Sequence, residues 1–370
     1  MWRQRLAALG YLSILVLPLT LVAGVMLGKP SLAAGVALLA FPLARAVFGV
    51  YRKPPVWRES IASALHLLPT AYALTLLASL AALLILIDNA AIEGIAAWSG
   101  LAVSLALTLL FATCSGHELL HRREAIDLRI GAWLAGITGY PLLCVEHRDH
   151  HLNQAATGLA AEPRCDESVW RFSWCRSKAV ARFAFELWKG KPSQAQAAIA
   201  RRNLREACCL TLLTVILFTV CGGLPGLAAY AASCVIVTFG IQVMTFIQHW
   251  GLSSNAGHYQ QIAWEDDCLF QAWVTLHTSF HQSHHRKPNL PVYRLALAPD
   301  APRLPAGYIV LLFASLVPRL WRAAMQPALT HWQLQPSKPP SPGRRFSCFN
   351  AYGSANSASS AEHETDRQET

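Results

Sequence analysis

An all-α integral membrane protein, with about six transmembrane helices and a histidine-rich cap on the cytoplasmic side, is the architecture the sequence predicts. Three observations carry that reading. The 370-residue chain is 54% hydrophobic and only 14% charged, too apolar for a soluble protein of its size. Several apolar runs exceed the ~18 residues that mark a membrane span. Nine of the fourteen histidines fall at four places, each at or just beyond the end of an apolar stretch.

The elements follow in order. Arg3 and Arg5 precede Leu6–Leu27, which is longer than a signal-peptide core and lacks a good cleavage site, so it reads as an uncleaved first span. Gly28-Lys29-Pro30 turns the chain into a second span, Ser31–Val50, with Arg45 placed to snorkel. A basic loop with Arg52, Lys53 and Arg58 leads to a third span, Ile61–Ile87, and an acidic turn with Asp88 and Glu93 to a fourth, Ala96–Gly116. Ile130–Val145 is too short to cross and reads as a re-entrant or interfacial helix. The mixed, basic stretch 152–206, with Trp170, Trp174 and Trp188, suits the headgroup layer. Ala207–Val220 and Leu224–Gln248 make two further spans around a Gly222–Gly226 turn, and Tyr308–Trp321 reads as an amphipathic helix on the membrane. Residues 1–330 form the predicted membrane domain. Residues 331–370, rich in Pro, Ser and Glu, read as a disordered tail.

Charge sets the orientation. Loops rich in Lys and Arg stay cytoplasmic. This puts both termini and all four histidine places on the cytoplasmic side of the inner membrane. The net charge of +10 is concentrated in those loops, and no nucleic-acid-binding motif accompanies it, so nucleic acid is not an expected partner. The ten cysteines contain no CxxC pair, which argues against a zinc ribbon or a redox dithiol.

The histidine spacing carries the chemistry. In His117-Glu118-Leu119-Leu120-His121 the two imidazoles share one helical face. Alone, the motif matches the H-E-x-x-H of zinc proteases, with Glu118 as general base. A catalytic zinc needs about three protein ligands and one open position, which leaves the other clusters idle. The separate Asp-Gly ligand motif of intramembrane zinc proteases is also absent. His147-Arg148-Asp149-His150-His151 and His281-Gln282-Ser283-His284-His285 share the form HxxHH. On a helix the first and last of these histidines share a face, and the middle one points ~100° aside. Each box then offers two imidazoles to one metal and a third to a neighbour, a supply that fits two metals rather than one. His249 stands alone at the end of its apolar run.

HELLHR at 117–122, VEHRDHH at 145–151, QHWGL at 248–252 and HTSFHQSHH at 277–285 resemble the membrane alkane 1-monooxygenases and xylene monooxygenases of the membrane fatty-acid desaturase and hydroxylase superfamily. The resemblance implies a non-haem di-iron enzyme that uses O2 to hydroxylate an unactivated C–H of an alkane or fatty-acyl chain. Desaturation or terminal-alkene-forming oxidative decarboxylation is the alternative. It implies two Fe held by His117, His121, His147, His150, His151, His249, His281, His284 and His285. It also implies a rubredoxin- or ferredoxin-type electron donor, since the chain carries no G-x-G-x-x-G motif and no cysteine cluster for iron–sulfur. Metal-bound imidazoles usually give their other N–H to a carboxylate or carbonyl. Glu118, Glu146, Asp149, Asp266 and Asp267 are placed for that role, and His277 for the same role or as an extra ligand. This chain departs from the alkane hydroxylases at three points. Its second box is HxxHH rather than HxxxHH, Gln248 replaces a Glu, and Asp267-Cys268 replaces Asn-His. The first departure leans toward desaturase-like branches.

Overall fold

A bilayer core offers no water to backbone N–H and C=O groups, so an apolar chain of this length closes its hydrogen bonds within helices. The computed structural model describes residues 2–51, 55–89, 92–146, 163–190, 195–252 and 262–334. Among them there is no strand, only the isolated bridges Val50–Cys268 and Glu265–Arg303. The helices are α1 (Trp2–Gly10), α2 (Val16–Met26), α3 (Leu32–Gly35), α4 (Phe41–Phe48), α5 (Glu59–Asn89), α6 (Gly94–Leu120), α7 (Ala125–Ile137), α8 (Val169–Lys189), α9 (Ala195–His249), α10 (Leu269–Val274), α11 (His281–Arg286), α12 (Tyr308–Leu316) and α13 (Pro318–Leu334). Four described helical stretches are long and apolar enough to cross a membrane: Gln4–Met26, Glu59–Asn89, Gly94–Leu120 and Ala197–His249.

Proline explains most departures from the predicted spans. The first span tightens to a 3₁₀ turn over Tyr11–Leu15, because Pro18 cannot donate to the carbonyl of Ile14. The second is interrupted by a π-helical turn, Val36–Ala40, just before Pro42, and its apolar helix covers only Leu32–Phe48. Arg45 does not snorkel free but pairs with Asp266 at 2.9 Å. The predicted Tyr308–Trp321 helix is two helices. Pro318 forces Val317 out of helical backbone (φ −115°, ψ 102°). The interfacial helix expected at 130–145 begins earlier and ends sooner, as α7, where Gly139 takes φ +76°.

α9 is a hairpin rather than a 55-residue rod. Phe218 and Tyr230 stack with ring centroids 5.0 Å apart, whereas twelve residues of continuous helix span about 18 Å. Thr211 and Tyr230 donate to neighbouring carbonyls, those of Gly136 (2.8 Å) and Ile137 (2.9 Å). The chain reverses at Gly223, whose φ of 60° and ψ of −151° suit a residue without Cβ. Arms 195–222 and 224–249 therefore lie side by side.

Small residues let the bundle close. A Cβ on Gly136 would come within 2.4 Å of the carbonyl oxygen of Ala207, and one on Gly139 within 2.2 Å of the Cys234 sulfur. Without a hydrophobic driving force in lipid, close backbone approach of this kind is what joins helices. Met1–Trp332 make one compact unit.

Gly139→Ala combines a left-handed backbone with a hard contact. It should lower the thermal stability of the detergent-solubilised chain by roughly 3 kcal/mol. Ser99→Ala, at an exposed position near the start of α6, should by contrast leave it within about 0.5 kcal/mol.

Candidate metal centre

Three separate elements deliver six histidines to one end of the bundle. α6 runs past its predicted end at Gly116, so His117 and its C-terminal neighbour His121 project from the same last turn. The 224–249 arm ends on His249. The short helix α11 carries His281, His284 and His285.

These side chains form two triads. His117, His121 and His284 make one; His249, His281 and His285 make the other. In each, the ligand nitrogens lie within 4.8 Å of one another. In the first, Nε2 of His117 is 3.2 Å from Nε2 of His121 and 2.9 Å from Nε2 of His284. In the second, Nε2 of His281 is 3.1 Å from Nε2 of His249 and 2.8 Å from Nε2 of His285. α11 joins them: the His284 ring lies 6.2 Å from that of His281 and 6.1 Å from that of His285. The i, i+4 pair His281 and His285 turns to one triad and the middle His284 to the other, the division that the helical spacing demands.

The donor set fits transition-metal ions. Three neutral imidazoles pointing at a common centre present lone pairs to one another, a repulsive arrangement unless a proton or a cation sits between them. Two nitrogens each about 2.1 Å from one ion, at right angles, stand about 3.0 Å apart, which is the spacing seen here. Imidazole-rich sites suit zinc, copper, iron and nickel. The H-E-x-x-H pair is therefore part of a triad whose third imidazole comes from His284, 163 residues further along the chain than His121, with the second triad beside it.

His147, Asp149, His150 and His151 lie outside the described residues. Both flanks of that segment approach the centre. Glu146 is buried and accepts from Arg176 Nε (2.8 Å), Gln242 Nε2 (3.2 Å) and the Tyr140 hydroxyl. Pro163 accepts from the N–H of Gly251, two residues past His249 (3.0 Å). Of the other predicted supporting groups, Glu118 is buried and pairs with Arg122 at 3.7 Å. The Asp266 carboxylate, fully buried, takes Arg45 Nη2 (2.9 Å) and the N–H of Cys268 (3.0 Å). Burial raises its pKa, and Arg45 opposes that shift. Asp267 contributes its carbonyl, which accepts from Tyr51 N–H at 2.6 Å.

His277 lies outside both triads. It stacks on Tyr11, with Nε2 2.7 Å from the tyrosine hydroxyl. Burial pushes its imidazole down to about 3, so it stays neutral. Leu276 and His277 both take positive φ (50° and 58°), a strained turn that aims the chain into α11.

Sequence pattern passes over Glu265, which holds α11 in place. Its carboxylate accepts from the N–H groups of Ser283 (2.9 Å) and Ala298 (2.9 Å) and from Arg303 Nη1 (2.6 Å). The only sequence signal for it is its place beside Asp266 and Asp267 after Trp264. Arg176 is also invisible by motif, lying inside an amphipathic helix with no histidine near it.

A cavity of about 150 Å³ reaches both triads, with His117 and His281 among its lining residues. Leu110, Phe111, Ile241, Met244, Ile309 and Leu312 supply apolar wall. Four lining threonines spend their hydroxyls on nearby backbone carbonyls: Thr113 on Leu110 O, Thr245 on Ile241 O, Thr275 on Gln271 O and Thr278 on Thr275 O. The wall is thus more apolar than its composition. Polar contacts come from Glu146, Arg176, Gln248, Gln271 and Tyr308.

Long apolar helices capped at one end by two adjoining imidazole triads define a membrane protein built to bind metal. The comparison with known sequences is specific: the fatty acid desaturase family model matches residues 93–314, and the chain belongs to that family. Over 243 residues it is 26% identical to the alkane 1-monooxygenase of Pseudomonas putida and 27% identical to that of Ectopseudomonas oleovorans, in each case covering 63% of this chain and 60% of the relative. It is 23% identical over 244 residues to the xylene/toluene monooxygenase hydroxylase component XylM of Pseudomonas putida, covering 60% of this chain and 62% of that one. The chain thus matches about 60% of the length of these relatives.

His284→Ala and His249→Ala each remove an imidazole from a different triad. Metal analysis of the purified variants should show each losing at least half of the metal the unaltered chain binds. Glu265→Gln should cost roughly 2–3 kcal/mol in thermal unfolding, since one of three donors to a buried carboxylate then faces an amide N–H₂.

Proposed function

We propose that this chain is a membrane non-haem di-iron oxygenase that hydroxylates an unactivated C–H of an alkane or fatty-acyl chain. The observation that carries the reading is the largely apolar cavity that touches His117 of one triad and His281 of the other. Histidines 147, 150 and 151 complete a nine-imidazole set with the six of the triads, and the two sites hold one Fe each. Bound there, the metal pair supplies the O2 chemistry that no protein side chain can perform.

The chain's own residues do the rest. Leu110, Phe111, Met244 and Leu312 hold an extended hydrocarbon and exclude water from the triads. His117 and His281, on rigid helices joined through α11, fix how near the reacting carbon lies to both sites. Glu265 and the Arg45–Asp266 pair keep the elements that carry those histidines from shifting. Electrons come from a rubredoxin- or ferredoxin-type protein. In this reading six spans lie in the inner membrane, counting the two arms of the α9 hairpin and the broken second helix, with the histidine cap and both termini cytoplasmic; the four long apolar helical stretches support it. Residues 1–330 form the enzyme domain and 331–370 a tail.

A second reading has its own support. Arg176 and Glu146 form a buried pair in the cavity wall (2.8 Å), and the second box is HxxHH. A fatty-acyl head group can hydrogen-bond to that pair; a bare alkane cannot, and buries it against hydrocarbon. The buried pair favours a fatty acid over an alkane as substrate, and the second box then leans toward desaturation or oxidative decarboxylation.

Membranes holding the chain, a reductant and O2, given alkanes and fatty acids of matched length, separate the readings by mass spectrometry. Alkanols or hydroxy acids support hydroxylation; an unsaturated acid or a 1-alkene one carbon shorter supports the second reading. Absence of any O2-dependent product, with zinc as the sole metal in the purified chain, overturns both.

A further inference from the structure

α8 presents three distinct flanks. At about 100° per residue, counted from Val169, the buried residues Val169, Phe172, Ser173, Arg176, Val180 and Ala184 fall within about 60° of zero. Trp170, Trp174, Phe185 and Trp188, between 42% and 67% exposed, cluster at about 100–160°. Arg171, Lys178, Arg182 and Lys189 follow at about 180–220°, all exposed. Four large aromatics left in the open beside four cations is a poor surface for water and a poor one for hydrocarbon. It matches a boundary between the two.

The details agree. The Lys178 ammonium lies 5.2 Å from the Trp174 ring centroid and that of Lys189 4.1 Å from Phe185, so charge is held at the edge of the aromatic band. Among the described residues no carboxylate pairs with Lys178, Arg182 or Lys189; Arg171 lies 3.8 Å from Glu167. The aromatic flank also continues into apolar surface. Trp170 donates to the Leu316 carbonyl of α12 (3.0 Å) and stacks on Phe239 of the hairpin (5.1 Å), and neighbouring Val235, Val310 and Phe313 are exposed.

We propose that α8 is an anionic-lipid-binding helix, its aromatic flank set among acyl chains and its basic flank on the phosphates of anionic phospholipids. An acidic protein docked on the cations is the rival occupant, but it would leave the adjoining tryptophans facing water.

The test uses the full chain in nanodiscs of equimolar phosphatidylcholine and phosphatidylglycerol, with the lipid that stays bound after detergent extraction counted by mass spectrometry. The unaltered chain should retain phosphatidylglycerol in excess. Arg171→Gln, Lys178→Gln, Arg182→Gln and Lys189→Gln together should cut that preference roughly tenfold while leaving metal content unchanged. High salt should weaken it in the unaltered chain as well. Lipids brominated near the headgroup should quench tryptophan fluorescence less once Trp174→Phe and Trp188→Phe are made, a measurement that needs no charge variant to fold. Equal retention of both lipids by the unaltered chain overturns the proposal. So does a charge variant that keeps its phosphatidylglycerol but loses reduction by an acidic electron-donor protein.

Discussion

Six imidazole nitrogens drawn into two clusters, each with neighbouring nitrogens about 3 Å apart, are the constraint on which the rest depends. Lone pairs at that spacing repel, and the four buried rings have surrendered water to get there. The surrounding fold must therefore supply enough rigidity to hold a locally unfavourable arrangement until a cation relieves it. Helices do this better than loops, because a turn of helix fixes the direction of each side chain. Five of the six rings lie on helices, His249 at the very end of its arm, and the sixth, His121, is the C-cap of α6.

The rigidity has identifiable sources. Buried carboxylates tie sequence-distant segments together: Asp266 to Arg45 across 221 residues, Glu265 to Ser283, Ala298 and Arg303, and Glu146 to Arg176. A buried ion pair adds little net stability over a packed apolar pair, but breaking one is expensive. Their contribution here is to specify position: each pins an element that carries, or directly precedes, a histidine. The hydrocarbon-facing part of the bundle relies instead on glycine and alanine contacts such as Gly136 against Ala207.

Much of this was legible in the sequence. Apolar length gave the helices, since a chain in lipid has no other way to satisfy its backbone. The i, i+4 rule gave the split of α11 between two sites. Other features depend on contacts that no local pattern encodes. The predicted helices ran straight through Pro18, Pro42 and Pro318, and whether each proline kinks, tightens or ends its helix is settled by neighbours. Arg45 looked like a snorkelling residue because its partner lies 221 positions away. Glu265 went unremarked because a carboxylate that orients backbone N–H groups leaves no spacing signature. His277 resembled a ligand by its four-residue offset from His281, but the turn at positive φ rotates it onto Tyr11.

The single turn and a half of α11 serves both triads from adjoining faces. Such a helix cannot rotate about its axis for one triad without moving its nitrogens in the other by the same angle. The geometries of the two triads are therefore mechanically linked. The separation between the two triads is written into one short piece of backbone rather than negotiated between two independent elements.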